Sequence, residues 1–137
     1  MTVGDVAEAG DVFERMKSGA EAAKDDRAVS CAQNGIGDVL KAQGDGPGAL
    51  AAYQASLAIA EALAKRDPAN TEWQVDLACS CGKLGTLKDV LSVSDRRSYL
   101  ERGKQIILEL KQSGRLHPNQ DTTAQFNEVI QKLDLEN

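Results

Sequence analysis

The residues able to do chemistry in this chain are few and badly spaced for it. His117 is the only histidine. It stands in His117-Pro118-Asn119, which reads as a turn, with no nucleophile at a spacing a general base could serve, so it is expected at the surface. Cys31, Cys79 and Cys81 are the only thiols. Two residues along a helix is about 200° of rotation, so Cys79 and Cys81 would point to opposite sides and could not share a metal. Three thiols in a chain with good core potential fit free cysteines in a reducing compartment better than a disulfide framework. Gly44-Asp45-Gly46-Pro47-Gly48 is glycine-rich but lacks the terminal Gly-Lys-Ser/Thr of a phosphate loop, and a turn explains it. The sequence therefore predicts no enzyme, no metal and no cofactor.

Charge is the remaining chemical feature. Residues 96 to 115 contain Arg96, Arg97, Arg102, Lys104, Lys111 and Arg115 against only Glu101 and Glu109. Arg97, Lys104, Lys111 and Arg115 fall within about 40° of one another on a helical wheel, a basic stripe in an acidic protein. Such a stripe could receive an acidic partner or a phosphate, although a solvated outer face is the plainer reading. The whole chain carries a formal net charge of −5, which argues against nucleic acid as a partner, because counterion release needs clustered Lys and Arg. No apolar run approaches the length of a membrane span, and Met1-Thr2-Val3-Gly4-Asp5 lacks the basic start and apolar stretch of a secretory signal. A cytoplasmic protein without membrane contact is expected.

The elements that must position these residues are helices. The 137 residues are 42% apolar but only 4% aromatic, so a core must be built from Ala, Leu, Ile and Val. Ala lets helices approach closely and has the highest helix propensity, which points to an all-α domain. Residues 3 to 18 place Val3, Val6, Phe13 and Met16 on a stripe, interrupted by Gly4 and Gly10. Residues 21 to 42 align Val29, Ala32, Ile36, Val39 and Leu40, and stop at Gly44-Asp45-Gly46. Pro47 suits the first turn of a third helix reaching Arg66, with Ala49, Ala52, Tyr53, Ser56, Leu57, Ala60 and Leu63 along its inner face. Thr71 with Gln74 has capping-box spacing for a fourth, carrying Trp73, Leu77, Cys81, Leu84 and Leu91 and ending near Val90. Ser94 can cap a fifth helix that shares Tyr99, Leu100, Gly103, Ile106, Ile107 and Leu110 and closes at Gly114. A last helix aligns Phe126, Val129, Ile130 and Leu133. Short turns between six helices imply antiparallel neighbours.

The pattern repeats. With Gly37 laid on Gly85, Val29 falls on Leu77, Cys31 on Cys79 and Ile36 on Leu84, about 48 residues on; Ser56, Ile59 and Leu63 match Gly103, Ile106 and Leu110 at a spacing near 47. A glycine inside a helix costs about 0.5–1 kcal/mol against Ala, so two at equivalent sites call for a packing reason, such as close crossing of the second helix at Ala49. The aliphatic-Gly pair, the Gly-Asp turn, and the small and aromatic residues Ala49, Tyr53 and Leu57 resemble a unit of the tetratricopeptide repeat. The likeness covers roughly residues 28 to 113 in two units, and residues 3 to 18 would be the second helix of a degenerate preceding one. The repeat length is longer than the family's usual 34 residues and is similar to the long-helix, kinesin light chain type. The second unit departs more: Lys88 stands where the first has Leu40, and Ser92-Val93-Ser94 replaces Gly44-Asp45-Gly46.

The resemblance implies a right-handed superhelix of about six antiparallel helices, two to three hairpins and a C-terminal capping helix ending in Asp134-Leu135-Glu136-Asn137. It also implies a protein or peptide ligand on the concave face lined by the first helices. Carried onto this chain, that face is Asn34, Asp38 and Lys41 of one unit with Lys83, Thr86 and Asp89 of the next. Family members that clamp a terminal carboxylate use Lys and Asn pairs there. Here Asn34 takes a Lys site and Asp38 an Asn site, so a ligand bearing Lys, Arg or a free amine is favoured over an acidic tail. The alternative is an assembly element whose apolar helix faces mediate self-association, possible as a homo-oligomer, or docking to other domains.

Overall fold

A computed structural model describes residues 3–136; the side chain of Val3 and residues 1, 2 and 137 lie outside what it describes. Among the described residues there is no strand, and six α-helices follow one another: α1 (Val3–Ala22), α2 (Asp26–Ala42), α3 (Gly46–Arg66), α4 (Thr71–Gly85), α5 (Val93–Gln112) and α6 (Thr123–Asp134), with a single 3₁₀ turn at Pro118–Gln120. The all-α expectation holds. The chain divides into two compact units, up to Leu63 and from Ala64 onward.

In the first unit the corners are built alike. α1 ends with Lys24 in the left-handed region (φ 57) and α2 with Gly44 (φ 82). Lys24 N–H bonds Glu21 O and Asp25 N–H bonds Ala20 O; Gly44 N–H bonds Lys41 O and Asp45 N–H bonds Leu40 O. Both are Schellman ends, which satisfy the carbonyls a helix terminus leaves orphaned. Each corner aspartate then starts the next helix: Asp25 Oδ1 accepts from Ala28 N–H (3.1 Å) and Asp45 Oδ1 from Gly48 N–H (2.9 Å). The break at residues 23–25 is why the helix read from the sequence over 21 to 42 starts only at Asp26.

α1 lies antiparallel on α2. Phe13 covers Gly35, and Val39 reaches Gly10. Val6 and Ala20 are buried, whereas Met16, expected on the inner stripe, is 47% exposed, because the buried edge runs through Gly10 and Phe13 to Ala20 and leaves Met16 on its flank. α3 buries the whole expected face from Ala49 to Leu63. α2 and α3 meet at two close points. Near the start of α2, the Ser30 and Ser56 hydroxyls are 2.8 Å apart and each reaches the other's carbonyl oxygen (3.2 and 3.0 Å). Two turns on, a Cβ at Gly37 would stand 2.4 Å from the Tyr53 ring, so Tyr53, not Ala49, is the group that requires a glycine there.

The second unit repeats this crossing with other side chains. Gly85 faces Leu100, where a Cβ would lie 2.4 Å from a Leu100 methyl, and Gly103 crosses Ala78, where a Cβ would lie 3.1 Å from the Ala78 carbonyl oxygen. Ser30 and Ser56 in the first hairpin thus correspond to Ala78 and Gly103 in the second, and Tyr53 to Leu100. The second unit's core joins Ala78, Leu100, Ile107, Phe126, Ile130 and Leu133, with α6 lying antiparallel along α5.

Helix ends in this unit differ from the expectation. Asn70, not Thr71, caps α4, accepting from Trp73 N–H (3.1 Å), and Gln74 instead donates to Ala64 O (3.2 Å). α4 stops at Gly85 rather than Val90. Thr86 turns back on it, giving both its N–H (3.2 Å) and its hydroxyl (2.7 Å) to Lys83 O, so the chain leaves the helix before Lys88. Ser92, not Ser94, caps α5 by accepting from Asp95 N–H (3.0 Å). Gly114 (φ 70) closes α5 as expected, with Arg115 N–H on Leu110 O.

Candidate functional site

The candidate residues fall into two sets, one on each unit. On α2, Asn34, Asp38 and Lys41 recur at intervals of four and three residues, which puts them on one stripe. Asn34 is half-buried, and Asp38 and Lys41 are exposed. Asp38 has a structural duty that the sequence reading missed: its Oδ1 accepts the hydroxyl of Tyr53 at 2.5 Å. Tyr53 is only 1% exposed. Burial first, and then the bond to Asp38 and its negative charge, push the phenol well above its ordinary value, so Tyr53 is a fixed neutral donor over the physiological range. Asp38 therefore holds the ring that packs on Gly37 and presents its carboxylate at the surface. The signal was available: a tyrosine on an inner helix face must find a partner for its hydroxyl.

On the second unit the expected grouping on one helix does not form. Lys83 is half-buried in the last turn of α4, and Thr86 is the residue capping its end. Asp89 is exposed in the turn that follows, because α4 has already ended, and so does not share a helical face with the other two.

The basic stripe of α5 is largely spoken for within the same unit. Arg97 pairs with Asp134, and Lys111 with Asp121 at 2.9 Å. Arg115 donates to Pro68 O at 2.9 Å. The Thr123 hydroxyl, together with Lys111, holds the Asp121 carboxyl at about 2. Arg96, one residue from the stripe, is buried at 5% exposure. It donates through Nε to Gly85 O (3.0 Å) and through a terminal nitrogen to Glu136 (2.8 Å), and Lys88 meets the same carboxylate at 3.3 Å. These partners lie 10 to 48 residues away along the chain, beyond the reach of a helical i, i+4 pattern, which is why no local spacing announced them.

None of the three cysteines is joined in a disulfide. Cys31 and Cys79 are exposed and Cys81 is buried, as opposite faces of α4 require for the last two. His117 is exposed at the 3₁₀ turn, its N–H bonded to the Gln120 side chain (3.0 Å). Among the described residues, no group of three His, Cys, Asp or Glu could hold a metal ion, and no helix is long and apolar enough to cross a membrane. Comparison with protein-family models, with curated proteins and with solved structures finds no match.

Proposed function

We propose that the protein is a non-catalytic helical-repeat module, of tetratricopeptide-like character, that binds a protein or peptide segment. The observation that carries this reading is the duplicated hairpin crossing: Gly37 against Tyr53 with Ser30 against Ser56, and Gly85 against Leu100 with Ala78 against Gly103. Duplicated hairpins with small residues at the crossing are how repeat proteins build extended surfaces without catalytic machinery. In the first hairpin the stripe of half-buried Asn34 with exposed Asp38 and Lys41 stands on the helix that this crossing braces. Rigid backing is what a recognition surface requires. Asp38 gives that stripe a preference for a Lys, Arg or amine group.

The test must separate Asp38's two duties. Tyr53→Phe removes the hydroxyl that Asp38 serves, and Asp38→Lys is then added in that background. Used as bait in a cell extract, the Tyr53→Phe protein should capture a partner that the double variant loses, with unchanged helicity by circular dichroism. Equal capture by both would overturn the α2 surface as the binding face.

One observation favours the assembly reading: α1 exposes Val12 at 42% beside Met16, an apolar flank that would suit a second copy or a neighbouring domain. Light scattering across a concentration series distinguishes the two, since self-association through α1 would be abolished by Val12→Glu and Met16→Glu.

A further inference from the structure

The ends of α4 and α6 and the start of α5 enclose an open cleft of about 320 Å³ lined by Thr86, Lys88, Arg96, Val129, Lys132 and Leu135, with Glu136 reaching in. Three of its side chains are cationic and one is anionic, in a chain whose net charge is −5. Arg96 is the fixed point. Its Nε is tied to the last carbonyl of α4, Gly85 O, which aims the guanidinium edge toward the cleft. A buried guanidinium needs an anion, and here Glu136 supplies one, with Lys88 on its other oxygen.

The residue providing that anion stands outside the helix it follows and is placed chiefly by its side chain. Glu136 lies beyond the last turn of α6, where its backbone N–H bonds Leu133 O (3.0 Å). The packing of α6 rests instead on Phe126, Ile130 and Leu133. Around the occupied position, Lys88 remains 65% and Lys132 67% exposed, Lys132 making only a surface pair with Glu128 (3.2 Å). Leu135 stands 86% exposed next to the site and Val129 forms part of its wall. An arginine edge, two flanking lysines and an adjacent apolar pair are the complement of a segment carrying carboxylates beside aliphatic residues.

We propose that this cleft binds an acidic segment of a partner protein, whose carboxylate takes the place of Glu136 on Arg96 and Lys88, so that Glu136 acts as a built-in competitor. The site is separate from the α2 stripe, which favours cations, and stands or falls independently of it. Displacement is an exchange of one carboxylate for another with the protonation states unchanged. It therefore costs little in desolvation of Arg96, which keeps an anion throughout.

The probe is a fluorescein-labelled, terminally blocked peptide of alternating Glu and Leu, with a Gln-for-Glu peptide as control, read by anisotropy on the full chain. Removing the internal occupant in Glu136→Gln should tighten binding of the acidic peptide by about fivefold or more, the factor by which the open fraction rises. It should leave the Gln peptide unbound. Reversing the exposed lysines, Lys88→Glu with Lys132→Glu, should weaken the acidic peptide by about tenfold or more while circular dichroism stays unchanged, since neither lysine is buried. The proposal is overturned if Glu136→Gln binds no tighter than the natural chain, if the Gln peptide binds equally well, or if inorganic phosphate displaces the peptide at the peptide's own concentration. The last outcome would assign the cleft to a free anion. Should Glu136→Gln reduce helicity, the lysine reversal alone decides, and unchanged peptide binding there refutes the site.

Discussion

A methyl group added to the same residue type should act with opposite sign at Gly37 and Gly19. Both glycines lie inside helices, so alanine gains about 0.5–1 kcal/mol of helix propensity at either. At Gly19 nothing lies within 4 Å of the new Cβ, and that gain should be realised in full. At Gly37 the new carbon would stand 2.4 and 2.5 Å from two Tyr53 ring carbons. Carbon contacts are comfortable near 3.5–4.0 Å, so the ring or the helix must retreat by about 1 Å. Tyr53 has nowhere easy to go, being 1% exposed and held at its hydroxyl by Asp38. Overpacking costs about 1–3 kcal/mol, and disturbing the hydroxyl bond adds about 1. Set against the propensity gain, Gly37→Ala should destabilise by about 1–3 kcal/mol. Urea unfolding followed by circular dichroism measures it as a lowered midpoint, against a raised midpoint for Gly19→Ala. Adding Tyr53→Leu to Gly37→Ala should cost less than the two single changes summed, because the smaller side chain vacates the contested space. Equal gains at Gly19 and Gly37 would refute the close crossing, and with it the duplicated hairpin.

Three further outcomes are expected. Lys24→Gly should raise stability by about 1 kcal/mol, since the left-handed φ of 57 is costly for a side chain bearing a Cβ and free for glycine; an unchanged melting temperature would contradict that geometry. Asp121, held at about 2 in the folded protein, binds fewer protons there than in the unfolded chain, so its stabilisation is full above about 4 and is lost as pH falls toward 2; Asp121→Asn should flatten the acid limb of a pH-stability curve in that window. Thiol titration should find Cys31 and Cys79 reacting promptly and Cys81 only on unfolding, and prompt reaction of all three would place Cys81 on the wrong face of α4.

The inner face of α3 was legible because seven small and apolar residues at helical spacing admit only one orientation, and all seven are buried. The repeat was legible for a similar reason, since an interior glycine is costly enough to stand out twice. Helix ends were read one or two residues off where two good capping residues compete: Asn70 beside Thr71, and Ser92 beside Ser94. Local pattern cannot arbitrate there, because either side chain can accept an N–H two or three residues on. Thr86 ended α4 early by turning its hydroxyl back on Lys83 O, which removed Asp89 from the expected helical face. The basic stripe shows a different limit. Charge spacing identifies which residues share a helix face but says nothing of Asp121, Asp134 and Pro68, distant in sequence, which occupy three of the four cations. For Asp38 the sequence carried half of the signal: an inward Tyr53 calls for an acceptor at its hydroxyl, but nothing local singles out Asp38, fifteen residues back, as that acceptor.

The two corner aspartates bear on how this chain can change length. Asp25 and Asp45 each close one helix with the backbone N–H and open the next with the side chain, leaving no spare residue between. A residue inserted at either corner would separate those two roles and rotate everything downstream by about 100° about the helix axis, turning the next buried face toward solvent. Length variation, affinity tags and grafted loops belong instead at residues 117–119, which are exposed, since on either side of them Leu116 packs on the core and Asp121 pairs with Lys111. Relatives of this chain should accordingly differ in length there and remain gapless through residues 20–49.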